Sequence, residues 1–286
     1  MEKASKNSMS RQSQHILQLL YKAVETDQIK LPTLPEVALK IRRAVEKGDR
    51  SAADIAELLS QDSSLSARLL QLANSPLYRA RNEINNLQMA ITRLGTRIVK
   101  DLVVMLAIKQ AFATRNKEIE KQFRKIWQTS IDVASACRVL ATSQNKLDTE
   151  QAVLAGLIHN IGALPIIELA ERRPSLFNQD QDLACICEEI QGALGEKILS
   201  FWNFPQTLID VVAQWNNFNR QHSGDADYVD IVQAGILHTP HAPSNVNTDW
   251  SCIAAIKNLG LDPDMHEFND TMQNQLNETR ASLMNI

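Results

Sequence analysis

The sequence predicts an all-α fold, and three observations support that class. Its 286 residues include only nine glycines and nine prolines, both below their usual share, so turn-rich β-architectures are disfavoured. Apolar residues recur at the 3.6-residue spacing of a helix, and no run of alternating β-branched residues competes with this pattern. At least one segment opens with side chains typical of a helix N-terminus.

Length and composition exclude several other classes. With 44% hydrophobic and 22% charged residues, the chain can bury a sizeable core, and disorder, collagen and coiled-coil classes are excluded. The four cysteines do not form a disulfide framework, and no signal segment opens the chain, so we expect a cytoplasmic protein. No stretch reaches about 20 uninterrupted apolar residues, so we expect no membrane partner.

The first helices are predicted from local patterns. Residues 1–13 are polar and predict a flexible leader. The motif Leu31-Pro32-Thr33-Leu34-Pro35 predicts a rigid entry into a helix, because proline fixes φ and suits a helix start. Ser51 and Asp54 resemble a capping box at the start of the next helix. The helix that follows it ends at Asn74-Ser75-Pro76.

The last two of these helices form a pair across a tight turn. The pair resembles a DNA-reading helix-turn-helix, but such pairs are common in all-α domains, and Arg68 is the only base of the second helix. We therefore do not expect nucleic-acid binding. After Gly95, the segment from Ile98 to Phe112 is apolar nearly all round, which predicts a helix in the middle of the fold.

A second set of helices is predicted from residue 116 onward. Apolar stripes run through 123–140, 153–161, 186–202 and 208–215, with glycine and proline at the joints. Residues 241–286 are polar and predict a C-terminal extension, a loop followed by a weak helix.

The small net charge of −3 hides a polarised chain. Residues 1–150 carry +8 and residues 151–286 carry −11. Such asymmetry is typical of subdomains that attract each other, of a nucleic-acid face, or of a site for a charged partner. We expect the N-terminal part to present a basic surface to an acidic protein.

Four phrases give the chain a resemblance to a known family. They are Leu31-Pro32-x-Leu34-Pro35, the phrase ending in Asn74-Ser75, Ala90-Ile91-x-x-Leu94-Gly95, and Ala155-Gly156-Leu157-Ile158-His159-Asn160-Ile161-Gly162. Together they resemble the HDOD domain, a signalling relative of the HD-superfamily metal-dependent phosphohydrolases. The resemblance implies an HDOD domain over 14–240, with an N-terminal helical lobe at about 14–115 and an HD-like lobe at about 116–240.

The resemblance also identifies where metal ligands would stand. An HD enzyme holds its metal with histidine and aspartate, and the corresponding positions here are Thr129, His159, Asn160, Gln191, Trp215, Asn216 and Gly235. One imidazole remains, and the bridging carboxylate is an amide. A lone imidazole does not supply the charge that a divalent metal needs, so we expect a degenerate pocket without metal or cofactor. His159 is interpreted either as a ligand-binding side chain or as a structural one that satisfies a neighbouring carbonyl.

Two further patterns are interpreted as coincidental. His238-x-x-His241 has the spacing of a metal pair, but Pro240 lies between its members in a loop-like stretch. Cys185-x-Cys187 has no second pair at zinc spacing, so both cysteines are predicted to pack as small apolar groups.

The leading hypothesis is therefore a non-catalytic signal-transduction module that acts through a regulatory protein partner. The competing hypothesis, from ancestry, is a metal-dependent phosphohydrolase that acts on a nucleotide or cyclic nucleotide. Because the chain contains no recognisable receiver or kinase segment, we expect its signal to come from a separate protein.

Overall fold

The computed structural model describes most of the chain. The described residues are 9–25, 34–48, 50–78, 83–111, 116–144, 147–177, 180–222, 224–243, 246, 249–265 and 267–284. Within them every regular element is helical, as predicted. The α-helices are α1 Arg11–Glu25, α2 Glu36–Lys47, α3 Ala52–Ser60, α4 Ser63–Ala73, α5 Leu87–Leu94, α6 Thr96–Ala111, α7 Lys117–Thr142, α8 Thr149–Ile158, α9 Ala163–Arg172, α10 Asp180–Phe201, α11 Gln206–Gln214, α12 Tyr228–Leu237, α13 Ala254–Asn258 and α14 Asp270–Met284.

The N-terminal lobe consists of α2 to α6, and its central, buried helix is α6. Pro35 precedes α2, whose residues Ile41 and Ala44 are buried. The predicted capping box of α3 is confirmed, because the Ser51 hydroxyl accepts from the Asp54 N–H and the Asp54 carboxylate accepts from the Ser51 N–H. Residues 101–108 of α6 are all buried, and α6 contacts α2, α4, α5 and α8, which explains its apolar circumference.

Two of the motif residues have clear structural roles here. The Asn74 side chain donates to the Leu70 and Ile84 carbonyls and accepts from the Ile84 N–H at 2.8 Å, so it anchors the segment before α5. Gly95 has φ +85 between α5 and α6, a conformation that residues with a Cβ rarely adopt.

Of the first motif, Leu34 is buried in the core. Leu31 and Pro32 lie outside the described residues.

The HD-like lobe is built on α7, which contacts α8, α12 and α14. Gly156 lets α8 approach α7 closely, since a Cβ on it would lie 2.5 Å from the Ala134 Cα. The stretch Thr149–Arg172 is long and apolar enough to cross a membrane, but 94% of its apolar window is buried inside the fold. Its composition is therefore explained by its place in the core.

The structure corrects the predicted leader and the boundary of the first lobe. Helix α1 begins at Arg11, and Ser13 is fully buried, so the leader does not extend to residue 13. Ile16 and Leu20 pack against Ile190 and neighbouring residues of α9 and α10, so α1 belongs with the HD-like lobe. The apolar stripe predicted the helix, but a stripe does not identify the helix against which it packs.

The C-terminal extension is also better integrated than predicted. Helix α14 spans 15 residues and packs against α7, with Leu283 1% exposed in the main core. Its buried face includes Thr279 and Ser282, whose hydroxyls donate to carbonyls one turn earlier. These polar but satisfied residues dilute the apolar stripe, which is why the sequence predicts only a weak helix.

Arg42 joins the two lobes. Its guanidinium is 3% exposed, donates to the carbonyls of Trp202 and Asn203 after α10, and lies 4.7 Å from the centroid of the Phe204 ring. These two carbonyls follow the end of α10, where carbonyls lack helical partners, and the arginine of α2 satisfies them. Burial lowers the pKa of Arg42, and Glu46 opposes that shift.

Candidate functional site

A pocket of about 490 Å³ lies between α7 and α10, and we call it the His159 pocket. Five of the seven residues predicted for the degenerate site line it: Thr129, His159, Asn160, Gln191 and Trp215. The other lining residues are Gln122, Lys125, Ile126, Val133, Ala163, Ile167, Leu183, Ala184, Cys187, Ile236 and His241. Residues far apart in sequence therefore meet at one cavity.

The structure places the remaining two predicted residues elsewhere. The Asn216 side chain donates to the Glu188 carbonyl at 2.9 Å and does not line the pocket. Gly235 faces α7, since a Cβ on it would lie 3.0 Å from the Cys137 Sγ, and its neighbour Ile236 lines the pocket instead. Each of the two is the chain neighbour of a residue that lines the pocket, Trp215 for Asn216 and Ile236 for Gly235.

His159 terminates α8 and is fixed by it. Its Nδ1 lies 2.6 Å from the Gly156 carbonyl oxygen, which makes Nδ1 the donor, and its ring meets the Trp215 ring edge to face at 4.9 Å. Burial lowers the pKa of His159 to about 4, against an opposing effect of the bond to Gly156. The side chain is thus a neutral imidazole whose Nε2 is a hydrogen-bond acceptor.

The turn from His159 to Gly162 is held against α10 by backbone contact. A Cβ on Gly162 would lie 1.8 Å from the Gln191 carbonyl oxygen and 2.6 Å from the Gly195 nitrogen. No side chain fits there. Gly162 therefore sets the distance between the turn that carries His159 and Asn160 and the helix that carries Gln191.

Asn160 and Gln191 bring amide side chains to the pocket from two different parts of the fold. Asn160 accepts a 2.9 Å hydrogen bond from the Ser130 hydroxyl through Oδ1, and Gln191 belongs to α10. Each is 7% exposed. Neither the Gln191 amide nor the Asn160 Nδ2 has a hydrogen-bond partner among the described residues. Both residues line the open space of the pocket.

His241 lines the pocket and was missed as a site residue in the sequence. Its Nε2 lies 2.9 Å from Asp132 Oδ2, while Asp132 Oδ1 lies 2.8 Å from the Nε of Arg280. His238 instead stacks on Phe268, with its Nδ1 2.8 Å from the Ala234 carbonyl. The two histidines thus have separate partners, and their spacing carries no shared site.

The cysteines of Cys185-x-Cys187 also separate, because residues two apart lie on different sides of a helix. Cys185 is exposed, which corrects the prediction that both pack as apolar groups, and Cys187 lines the pocket. Burial raises the pKa of the Cys187 thiol to about 12, with a smaller contribution from Glu188. Cys187 therefore contributes an apolar thiol to the pocket wall, and its raised pKa disfavours the thiolate form.

A second cluster outside the pocket resembles a metal site in its residue types. His222, Asp227 and Asp230 offer donor atoms within 4.8 Å of one another. Arg220 occupies the cluster, bonding both carboxylates, and Asn258 lies 3.2 Å from Asp230 Oδ2. Asp227 and Asp230 also form the capping box of α12. We call these five residues the Arg220 network.

Comparison with known proteins gives one family and several similar structures. A sequence profile of the HDOD domain matches residues 31–218. A crystal structure from Shewanella amazonensis SB2B, named "Putative metal-dependent phosphohydrolase", is 29% identical with a TM-score of 0.81, over 96% of this chain and 100% of that one. A "Putative signal transduction protein" from Marinobacter aquaeolei VT8 is 20% identical with a TM-score of 0.67, over 96% of this chain and 64% of that one.

One curated relative also matches. It is an "Uncharacterized protein" of Treponema pallidum (strain Nichols), 26% identical over an alignment of 196 residues that covers 65% of this chain. The match spans 38% of the length of that relative.

Proposed function

The chain belongs to the HDOD family, and from that membership we propose that it is a non-catalytic regulatory module that acts by binding another protein. The HD-related fold and the signalling relative support a regulatory domain. The absence of catalysis and the partner are the finer parts of the proposal. The absence of catalysis rests on the chemistry of the His159 pocket, and the class of partner rests on the charge of residues 1–150.

The composition of the pocket lining carries the proposal. Among the described lining residues there is no aspartate or glutamate, and the positions that would hold metal ligands are a hydroxyl, two amides, an indole and one imidazole. A divalent metal in an HD-type site polarises phosphate and activates water, which requires anionic ligands to hold it. The His159 imidazole alone supplies neither the charge nor the number of donors.

The alternative function is a metal-dependent phosphohydrolase. The name of the Shewanella structure and its 29% identity over the whole chain favour it. In this chain His241 is the second imidazole at the pocket, but its Nε2 is already 2.9 Å from Asp132. A metal there would have to displace the Asp132 pairing and would still lack a carboxylate in the pocket lining.

The proposed partner is an acidic protein in the cytoplasm. The net charge of +8 on residues 1–150 supports an acidic partner, through attraction that salt weakens. All four cysteines are free thiols, as suits a reducing compartment. We propose no nucleic-acid or membrane partner.

The test is turnover of a phosphoester panel by purified protein supplied with Mn²⁺, Mg²⁺ or Zn²⁺. Nucleoside monophosphates, cyclic nucleotides and p-nitrophenyl esters cover the substrate classes of the alternative. We expect rates equal to those of the metal-containing buffer. Turnover that disappears in His159→Ala would overturn the non-catalytic function and establish the alternative.

The partner is tested separately by capture from the native cell. We expect to recover an acidic protein in stoichiometric amount. Its binding should weaken as salt rises from about 50 to 500 mM, because the Debye length shortens and surface charges are screened. Stoichiometric recovery of DNA or RNA in its place would contradict the proposed partner class.

A further inference from the structure

The polar groups of the His159 pocket include several without a partner in the protein. The Trp215 Nε1 is buried and has no hydrogen-bond partner. Gln191 and Asn160, each 7% exposed, line the same cavity, and neither the Gln191 amide nor the Asn160 Nδ2 bonds to another described residue. Buried polar groups in folded proteins are nearly always paired. An unpaired group that lines open space points to a molecule that occupies the space.

The pocket has the size and walls of a small-molecule site. Its 490 Å³ fall within the range of about 300–1,000 Å³ that is typical of ligand pockets. Aliphatic side chains form much of its wall, including Ile126, Val133 and Ile167. Walls of this kind suit an apolar body, while the few polar groups fix its orientation.

The charge of the lining selects against cations. Among the described lining residues the ionisable groups are Lys125, His159, His241 and the Cys187 thiol, and none of them is a carboxylic acid. Lys125 is exposed, and His241 is paired with Asp132, so the inner end is uncharged. An inner end made of amides and the His159 Nε2 acceptor offers donors and acceptors side by side.

We propose that the His159 pocket binds a small uncharged molecule with an apolar body and a carboxamide edge, which pairs with the side chains of Gln191 and Asn160. A carboxamide presents one acceptor and one or two donors, the complement of another carboxamide. This inference rests on the proposed non-catalytic function and adds a ligand-sensing site to it. The ligand fills the space that metal and phosphate occupy in a hydrolase.

Three molecules of similar shape and different charge test the ligand class. Benzamide, benzoate and benzamidinium are titrated into the full chain, with ¹⁵N spectra recording the side-chain amide signals of Gln191 and Asn160. For a fragment of this size we expect benzamide to saturate with a Kd of about 1 mM. Benzamidinium is expected to bind at least about tenfold more weakly, because no carboxylate faces it.

Three results would overturn the inference. The first is a benzamide titration that does not saturate by about ten times that Kd, because the site would then hold only water. The second is tighter binding of benzoate than of benzamide, and the third is tighter binding of benzamidinium than of benzamide. In either case the site would select charge. All three leave the metal and phosphoester test unaffected, so a failure of the ligand inference is distinguishable from a failure of the proposed function.

The variant Gln191→Met separates ligand binding from a structural role. Methionine keeps the length of the side chain and removes its amide, so we expect benzamide binding to fall about tenfold or more, as for a lost hydrogen bond in a buried site. We expect the urea midpoint to stay about the same, because the amide that is removed makes no hydrogen bond to another described residue. Gln273→Met, on the exposed face of α14, is the matched control and should change neither quantity. Unchanged benzamide binding by Gln191→Met would overturn the assignment, whatever its stability.

Discussion

The His159 pocket and the Arg220 network both contain histidine and polar side chains, but they differ in whether carboxylates and open space are present. The network contains the residue types of a metal site, but Arg220 already neutralises Asp227 and Asp230, and the carboxylates also cap α12. The pocket contains the open space of an active site, but no acid lines it among the described residues. A metal centre needs anions and open space at one place, and these two regions separate them.

The two regions also differ in what holds them together. Charge holds the network, since Asp230 is 1% exposed and accepts from Arg220 and Asn258. Close backbone contact holds the pocket, since Gly162 lies directly against α10. We therefore expect the network to respond most to the removal of a charge, and the pocket to protonation and to added volume.

The largest expected effect is that of Arg220→Met. Removing the cation leaves Asp230 buried beside a second carboxylate, and breaking a buried ion pair costs about 3–5 kcal/mol. Urea unfolding measures the loss. Arg124→Met is the control, because its pairing with Glu120 is exposed and such pairs contribute about 0.5 kcal/mol or less. Equal losses in the two variants would contradict the role given to Arg220.

Acid is expected to destabilise the pocket through His159. Its pKa is lowered to about 4 in the folded protein, below the ordinary value of 6.5, so the unfolded chain binds the proton first as pH falls. Stability from this group is complete above pH 6.5 and is lost towards pH 4, by about 3 kcal/mol at most. Unfolding is measured at several pH values in wild type and in His159→Gln. If the variant retains the full wild-type pH slope between 6.5 and 4, His159 is not its source.

A smaller effect is expected from Gly162→Ala. The added Cβ would overlap the Gln191 carbonyl, and α10 has to move away from the turn. Overpacking of this kind costs about 1–3 kcal/mol. Gly192→Ala is the control, since its Cβ would lie 3.1 Å from the Ala213 carbonyl and alanine favours a helix. Thermal unfolding should lower the midpoint of Gly162→Ala clearly more than that of Gly192→Ala, and the reverse order would contradict the packing role.

Local patterns were sufficient to predict the helices but not all of their partners. The capping box of α3 and the all-round burial of α6 follow from adjacent residues, so the sequence reveals them. The docking of α1 on α10 depends on contacts about 170 residues apart, which periodicity does not encode. His241 reaches the pocket through a loop, where residue spacing gives no direction for the side chain.

Five pocket residues were found through a resemblance and not through periodicity. The two residues that do not line it, Asn216 and Gly235, are each next in the chain to one that does. The Arg220 network shows the converse problem, because its acids and histidine become visible as a group only in three dimensions. Arg220 then decides their role, and its side-chain contacts cannot be read from the order of residues.

Titration of metal-free protein with Mn²⁺ in a calorimeter tests the central claim most directly. We predict no stoichiometric binding by the wild-type chain, because neither the His159 pocket nor the Arg220 network offers free anionic donors. A triple variant, Thr129→His, Asn160→Asp and Gln191→His, serves as the matched comparison, since it returns metal-binding residue types to the pocket. One Mn²⁺ bound by wild type with a Kd below about 10 µM, well beyond the affinity of a lone imidazole, and lost in His159→Ala would contradict the account.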